Sequence, residues 1–390
     1  MLRRVVQANN RNYLFSPDDT PAFATRIQAI VQLRVVDEIT RRAPDSQVVI
    51  ESTEKKLTAR VAQDGICGLV GIPLQVFPGL QNIPYTVSFT ISADSYLPVT
   101  LTASFPFDNT FPSTFTPQIL PDVLLHRAPT VITGRTMQLS NNTPMAGATV
   151  SVLSIRRRPR TPTAAVPPDP PNLVALQPPL YTQRPQTTTR IQQRDLVPAA
   201  TPAKRLVHDL QPGANPILLS DRAGLSSGDV LLIDEGEPDL AEFILIKTVP
   251  TTNPPDQQAL ITLEYPTLNA HRRDAVVRLE TPQAPGLQQQ FTVDAIPGDT
   301  CVFLDGVAAL AAAQQVQVTG PATPDEFHGL KRFSTLSDAD GYYRLPPLSR
   351  VAEVEVRAER IIGPQTFTAT ETFSPDYRLR ENRLDLRLRV

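Results

Sequence analysis

Tyr85-Thr-Val-Ser-Phe-Thr-Ile91 decides the fold class. Tyr85, Val87, Phe89 and Ile91 fall on one face, and Thr86, Ser88 and Thr90 on the other. That two-residue period, carried by aromatic and β-branched residues, is the pattern of a half-buried strand. Upstream, Val31-Gln-Leu-Arg-Val35 and Leu57-Thr-Ala-Arg-Val61 alternate in the same way, and Gln47-Val-Val-Ile-Glu51 is a short apolar run. Asp64-Gly65 and Pro78-Gly79 mark turns between them. Ala22–Arg34 has some helical character, but its β-branched content predicts a strand from about Ile27.

Downstream, Thr130-Val-Ile-Thr-Gly-Arg-Thr136 and Val150-Ser-Val-Leu153 open a second β region. It resumes at Phe333, where Ser337-Asp-Ala-Asp-Gly341-Tyr-Tyr343 places an Asp-Gly turn between two strands. Val354, Val356 and Ala358 then alternate with Glu353, Glu355, Arg357 and Glu359, and Leu384-Asp-Leu-Arg-Leu-Arg-Val390 closes the chain in strict alternation.

Composition agrees with an all-β, multidomain chain. Of 390 residues 40 are proline, twice the usual share, and proline interrupts helices and central strands. Hydrophobic residues make up 41% and charged ones 19%, enough for packed cores. Basic and acidic residues number 37 and 39, which excludes nucleic-acid binding through bulk positive charge. Cys67 and Cys301 lie far apart and define no disulfide framework. Met1-Leu-Arg-Arg-Val-Val lacks an apolar stretch behind its basic residues, and no apolar run approaches the ~20 residues of a membrane helix. The expectation is a chain made in the cytoplasm without a signal peptide, with no membrane insertion, and carried in a particle.

Between the two parts of the second β region lie two unusual segments. From Arg156 to Pro202 there are eleven prolines, several paired, behind the basic run Arg156-Arg157-Arg158-Pro-Arg160. This composition predicts an extended arm, residues 156–205, that builds no core and becomes ordered in an assembly. The following stretch repeats itself. Pro212-Gly-Ala-Asn-Pro-Ile-Leu-Leu-Ser-Asp-Arg-Ala-Gly-Leu225 returns 85 residues later as Pro297-Gly-Asp-Thr-Cys-Val-Phe-Leu-Asp-Gly-Val-Ala-Ala-Leu310. Each copy runs on into a strand and ends in Glu-Phe with a lysine four places beyond: Glu242-Phe243 with Lys247, and Glu326-Phe327 with Lys331. Two small β units packed as one pseudo-symmetric body are expected over residues 206–333.

The flanking halves resemble the carboxypeptidase regulatory-like domain, a small transthyretin-like β-sandwich. The pieces that carry the resemblance are Thr133-Gly134-Arg135, Pro144-Met-Ala-Gly147-Ala148-Thr-Val150, Ser337-Asp338-Ala-Asp-Gly341-Tyr-Tyr343-Arg-Leu345 and Val354-Glu-Val356. Over 180 residues separate Val152 from Ser337, where the family has a short connection, so the resemblance implies a sandwich over 129–155 and 334–390 with a domain inserted in one loop. Residues 1–126 are similar to a second, uninterrupted copy through Val31–Pro44 and Val61–Leu69. Such a resemblance implies fold and no chemistry. As a whole, sandwiches with inserted β modules and a proline-rich arm resemble accessory components of phage tails and contractile injection systems.

No catalytic constellation is legible. His126, His208, His271 and His328 lack partners at ligand spacing and are assigned to surface or turn positions, so no metal or cofactor is expected. Cys67 reads as a buried structural thiol, and Asp234-Glu235-Gly-Glu237-Pro-Asp239 as a solvated hairpin loop without calcium-loop spacing. Arg156, Arg157, Arg158 and Arg160 are the candidate interaction residues, because guanidinium groups form bidentate contacts to carboxylates on a neighbouring subunit. The expected function is a non-enzymatic structural or adaptor subunit whose partners are other protein subunits in multiple copies. The alternative is a glycan-binding module, which the absence of tryptophan disfavours.

Overall fold

The structure, a computed structural model, describes residues 4–8, 11–15, 27–62, 64–76, 85–105, 117–157, 173–237, 240–310, 313–321 and 323–389. The fold is all-β and multidomain. Helical structure among the described residues is confined to one turn at Pro73–Val76 and a 3-10 turn at Ala308–Leu310. The chain divides into two compact units, Met1–His126 and Arg127–Val390.

In the first unit, two sheets face each other across one core. One has the order Val123–Leu125, Gln28–Asp37, Ile66–Gly71, Thr58–Val61; the other has Val48–Ser52, Tyr85–Ala93, Val99–Phe105. Val87, Phe89 and Ile91 point inward with Leu33, Val35 and Leu69, all nearly inaccessible. Thr90 and Thr100 face each other across the outer surface, their hydroxyls 3.0 Å apart. The alternation in the sequence thus maps onto the two faces of a strand. Cys67 lies in this core, and burial pushes its thiol up to about 11.

The second unit begins as another sandwich. Val131–Gln138 sits between Tyr342–Arg344 and Glu381–Arg383 in one sheet, while the other has the order Ser334–Leu336, Thr149–Arg157, Val351–Ile362, Gln365–Phe373. Strands from before and after the long interruption therefore share one core, which includes Ile132, Val150, Tyr343, Val356 and Leu386. Gly134 is a steric requirement: a Cβ there would meet the Leu384 carbonyl oxygen at 1.8 Å. The Asp-Gly turn closes as its sequence demands. Asp338 accepts from the Asp340 and Tyr342 amides at 2.9 and 2.8 Å, and Gly341 takes φ 72°.

The interruption holds two sheets with one topology. In the first copy the order is Ile217–Leu219, Ala259–Leu263, Glu242–Thr248, Val230–Ile233, Val276–Pro282, with Leu196–Pro198 and Lys204–Arg205 both on the far side. In the second it is Cys301–Phe303, Leu173–Gln177, Thr323–Lys331, Gln315–Gly320, Arg190–Gln193, Gln288–Gln290. Isolated bridges match as well: Leu206 with Leu219 answers Phe291 with Leu304, and Leu210 with His271 answers Ala295 with Arg184. Leu225 and Leu310 occupy corresponding buried positions, one in each core. Phe243 and Phe327 meet in a small shared cluster with Leu196, Val230 and Leu232.

This topology corrects the reading of the arm. Residues 173–205 are part of the fold, and Leu173–Gln177 and Arg190–Gln193 complete the second copy. Val174, Leu176, Leu180 and Ile191 lie in its core. Prolines mislead here because they sit at turns and strand ends, such as Pro178, Pro179, Pro185 and Pro198, while the short runs between them are buried by neighbouring strands. The second repeat is accordingly not confined to 206–333. Residues 158–172 lie outside those described. The first copy is contiguous and sits within the second, whose own halves sit within the sandwich. Asp299 of the second copy anchors this nest to the sandwich, with both carboxylate oxygens bound by Arg350.

Candidate functional site

The most concentrated chemistry in the molecule lies where the two copies meet. Glu242 opens the strand Glu242–Thr248 and Glu326 lies within Thr323–Lys331, and both point inward and are fully buried at the side chain. A bare buried carboxylate is prohibitively costly, so each must be met by donors. Both are met in the same way. Glu326 accepts from two consecutive amides, Tyr181 at 2.9 Å and Thr182 at 3.0 Å. Glu242 accepts from Leu268 at 2.7 Å and Asn269 at 3.3 Å. A cation follows on the same loop, three residues past the first of these amides: Arg184 at 2.9 Å from Glu326, and His271 at 3.0 Å from Glu242.

The copies are then tied across. Tyr181, whose amide serves Glu326, donates its hydroxyl to Glu242 at 2.8 Å. Its ring stacks on Tyr265 at 5.0 Å, and the Tyr265 hydroxyl donates to the Pro324 carbonyl at 2.7 Å. Arg184 spends its remaining donors on that same carbonyl and on Thr323. His328 lies 3.3 Å from Glu326 on one side and 2.8 Å from the Pro178 carbonyl on the other.

Electrostatics follow from these contacts. Burial alone would depress His271, but the hydrogen bonds and charges of Glu242 and Asp234 outweigh it and hold its pKa above the ordinary imidazole value. Burial would raise Glu326, yet the contact with His328, the Arg184 charge and the Thr182 hydroxyl hold it below the ordinary carboxylate value. Tyr181 is raised well above an ordinary phenol, first by burial and then by Glu242. The cluster is sealed, and His328 Nε2 reaches Glu326 as a charge contact rather than a formed hydrogen bond. It fastens two sheets together.

Two of the four histidines are therefore buried, contrary to the surface or turn positions expected of them: His271 and His328 are ion-pair partners inside the insert. Asp234, expected in a solvated loop, contacts His271 at 2.7 Å. Of the candidate interaction residues, Arg156 is the penultimate residue of the strand Thr149–Arg157 and lies 3.5 Å from Glu353, both half-exposed. Arg157 is placed on that strand by its backbone. Arg158 and Arg160 lie outside the described residues. Among the described residues no group of three or more potential ligands could hold a metal. A groove of about 550 Å³ in the first unit runs between Val48–Ser52 and Thr58–Val61, and its walls carry no ionisable side chain.

No known family matches the chain, and no curated protein does. Among solved structures two are similar, both of BcpA, the major pilin subunit of Bacillus cereus. One is a variant form at 9% identity and TM-score 0.22, covering 94% of this chain and 100% of that one. The other is at 8% identity and TM-score 0.21, covering 93% and 99%. Likeness at that level fixes neither topology nor role.

Proposed function

We propose that the protein is a non-catalytic structural subunit of a large protein assembly, of the phage-tail-like or contractile-injection kind. One observation carries the reading: the ionisable groups with the strongest mutual contacts are sealed inside the insert, each ion pair holding its own copy, while Tyr181 and Tyr265 fasten one copy to the other. In a catalytic cleft, perturbed carboxylates, histidines and tyrosines face a space that substrate can enter. Here Arg184, Glu326, Glu242 and His271 have almost no exposed side chain, and their hydrogen bonds tie strands to the loops packed on them. The product of that arrangement is stiffness, which suits a spacer that must hold its neighbours at fixed positions.

Sedimentation of lysate from producing cells tests this. Mass spectrometry of the pelleted particles should find the chain in constant ratio to other subunits through successive purification steps. A chain that remains in the supernatant while particles pellet would overturn the reading.

A further inference from the structure

We propose that the strand Gln365–Phe373 is a self-pairing edge through which two copies of this chain join their sheets. The inference rests on the assembly reading and names one of its contacts. This strand is the last of its sheet and pairs with Val351–Ile362 through nine uninterrupted residue pairs. Its outward amides and carbonyls meet no partner among the described residues. Free edges of that length template the addition of another strand, and proteins usually blunt them with lysine, proline or a bulge. None of these occurs in Gln-Thr-Phe-Thr-Ala-Thr-Glu-Thr-Phe, whose single charge is Glu371. At the hairpin tip beside it, Ile361 and Ile362 are 63% and 48% exposed.

The sequence of the strand selects a second copy as the occupant. Run antiparallel to itself about Thr370, the strand sets Thr368 opposite Thr372 of the second copy on the solvent side. On the core side it sets Phe367 opposite Phe373 of the second copy. Threonine–threonine and aromatic cross-strand pairs are among the favourable ones, and like charges directly opposite are unfavourable. In this register each Glu371 meets Ala369 of the other copy, so the two carboxylates never face each other. The outcome is an isologous two-fold contact in which two four-stranded sheets become one of eight.

Light scattering on the purified full chain reads the mass, and single-cysteine variants read the register. The expected mass is twice 42.8 kDa. Thr370→Cys should cross-link to itself under mild oxidation, because residues opposite in an antiparallel pair lie within disulfide reach. Thr366→Cys should not. The native thiols, Cys67 and Cys301, are both buried and stay silent. Thr368→Lys with Thr370→Lys should return the mass to that of one chain while circular dichroism is unchanged. A dimer that persists in the double-lysine variant would assign the contact elsewhere. A chain that is monomeric alone, forms no cross-link and still pellets with particles would overturn self-pairing and leave the assembly reading intact.

Discussion

The two copies of the inserted repeat are built on the same strand order, yet one is contiguous and the other is assembled from distant segments. The first uses residues between Leu196 and Pro282. The second joins Leu173–Gln177 and Arg190–Gln193 to strands that begin at Gln288. What both retain is a buried glutamate held by two successive amides and a cation. What differs is the cation, a histidine in the first copy and an arginine in the second. An arginine is charged at every accessible pH and fills several acceptors at once, whereas an imidazole titrates. The contiguous copy is therefore the one whose loop cation titrates, and the discontinuous copy carries the permanent charge that holds its separate pieces.

Removing that permanent charge is the most damaging change we expect. Arg184→Met leaves Glu326 buried with its principal cation gone, and breaking a buried pair from one side costs about 3–5 kcal/mol. Urea denaturation should show this as a lowered midpoint with far-ultraviolet circular dichroism still β-type before the transition. A loss under about 1 kcal/mol would mean that His328 alone suffices for Glu326. Next come the matched leucines. Leu225→Ala and Leu310→Ala should each cost about 2–5 kcal/mol through lost burial and cavity formation. Leu310 is fully inaccessible and Leu225 is 8% exposed, so the Leu310 change should be the larger. The reverse order would indicate that the second core, being assembled from separate pieces, collapses into the cavity more readily.

Removing the tie between copies is a smaller perturbation. Tyr181→Phe keeps the ring stacked on Tyr265 and deletes only the hydroxyl that reaches Glu242. Loss of one hydrogen bond to a charged group is worth about 1.5–3 kcal/mol. If the copies act as one body, a single unfolding transition should split or broaden in this variant, and an unaltered single transition at the original midpoint would show that the tie contributes nothing.

How much of this was legible in the sequence depends on how local the signal is. Alternation at Tyr85–Ile91 and the turn at Asp340-Gly341 depend on neighbouring residues, and the all-β class followed from such stretches. Glu242-Phe243 and Glu326-Phe327 were visible as matched ends of a repeat. Their burial was not, because the partners His271 and Arg184 lie 29 and 142 residues away in sequence. Arg184 was hidden further by its setting between Pro178 and Pro198, where proline content suggested an arm. Proline content reports that strands are short; whether a short strand is buried is decided by what pairs with it. In Leu173–Gln177 that is Thr323–Lys331, far along the chain.

The smallest expected effect sharpens the contrast between the copies most directly, because it uses pH alone. His271 has a folded pKa above its ordinary value, so its contribution is complete below about 6.5, where the unfolded imidazole is also protonated. It is lost as pH rises through the higher folded value. Glu326 is held below the ordinary carboxylate value, so its contribution is complete above about 4.3 and is lost as pH falls through the lower folded value. The contiguous copy should thus weaken on the alkaline side and the discontinuous copy on the acid side. Urea midpoints measured at mildly acidic and mildly alkaline pH should fall on going alkaline in the natural protein. In His271→Gln, which has no proton to lose, that fall should disappear, with stability already reduced at the acidic end. His271→Arg should also flatten the profile while keeping a cation beside Glu242. If both variants retain the alkaline fall of the natural protein, the titrating group lies outside this pair, and the two copies do not differ in the way their cations imply.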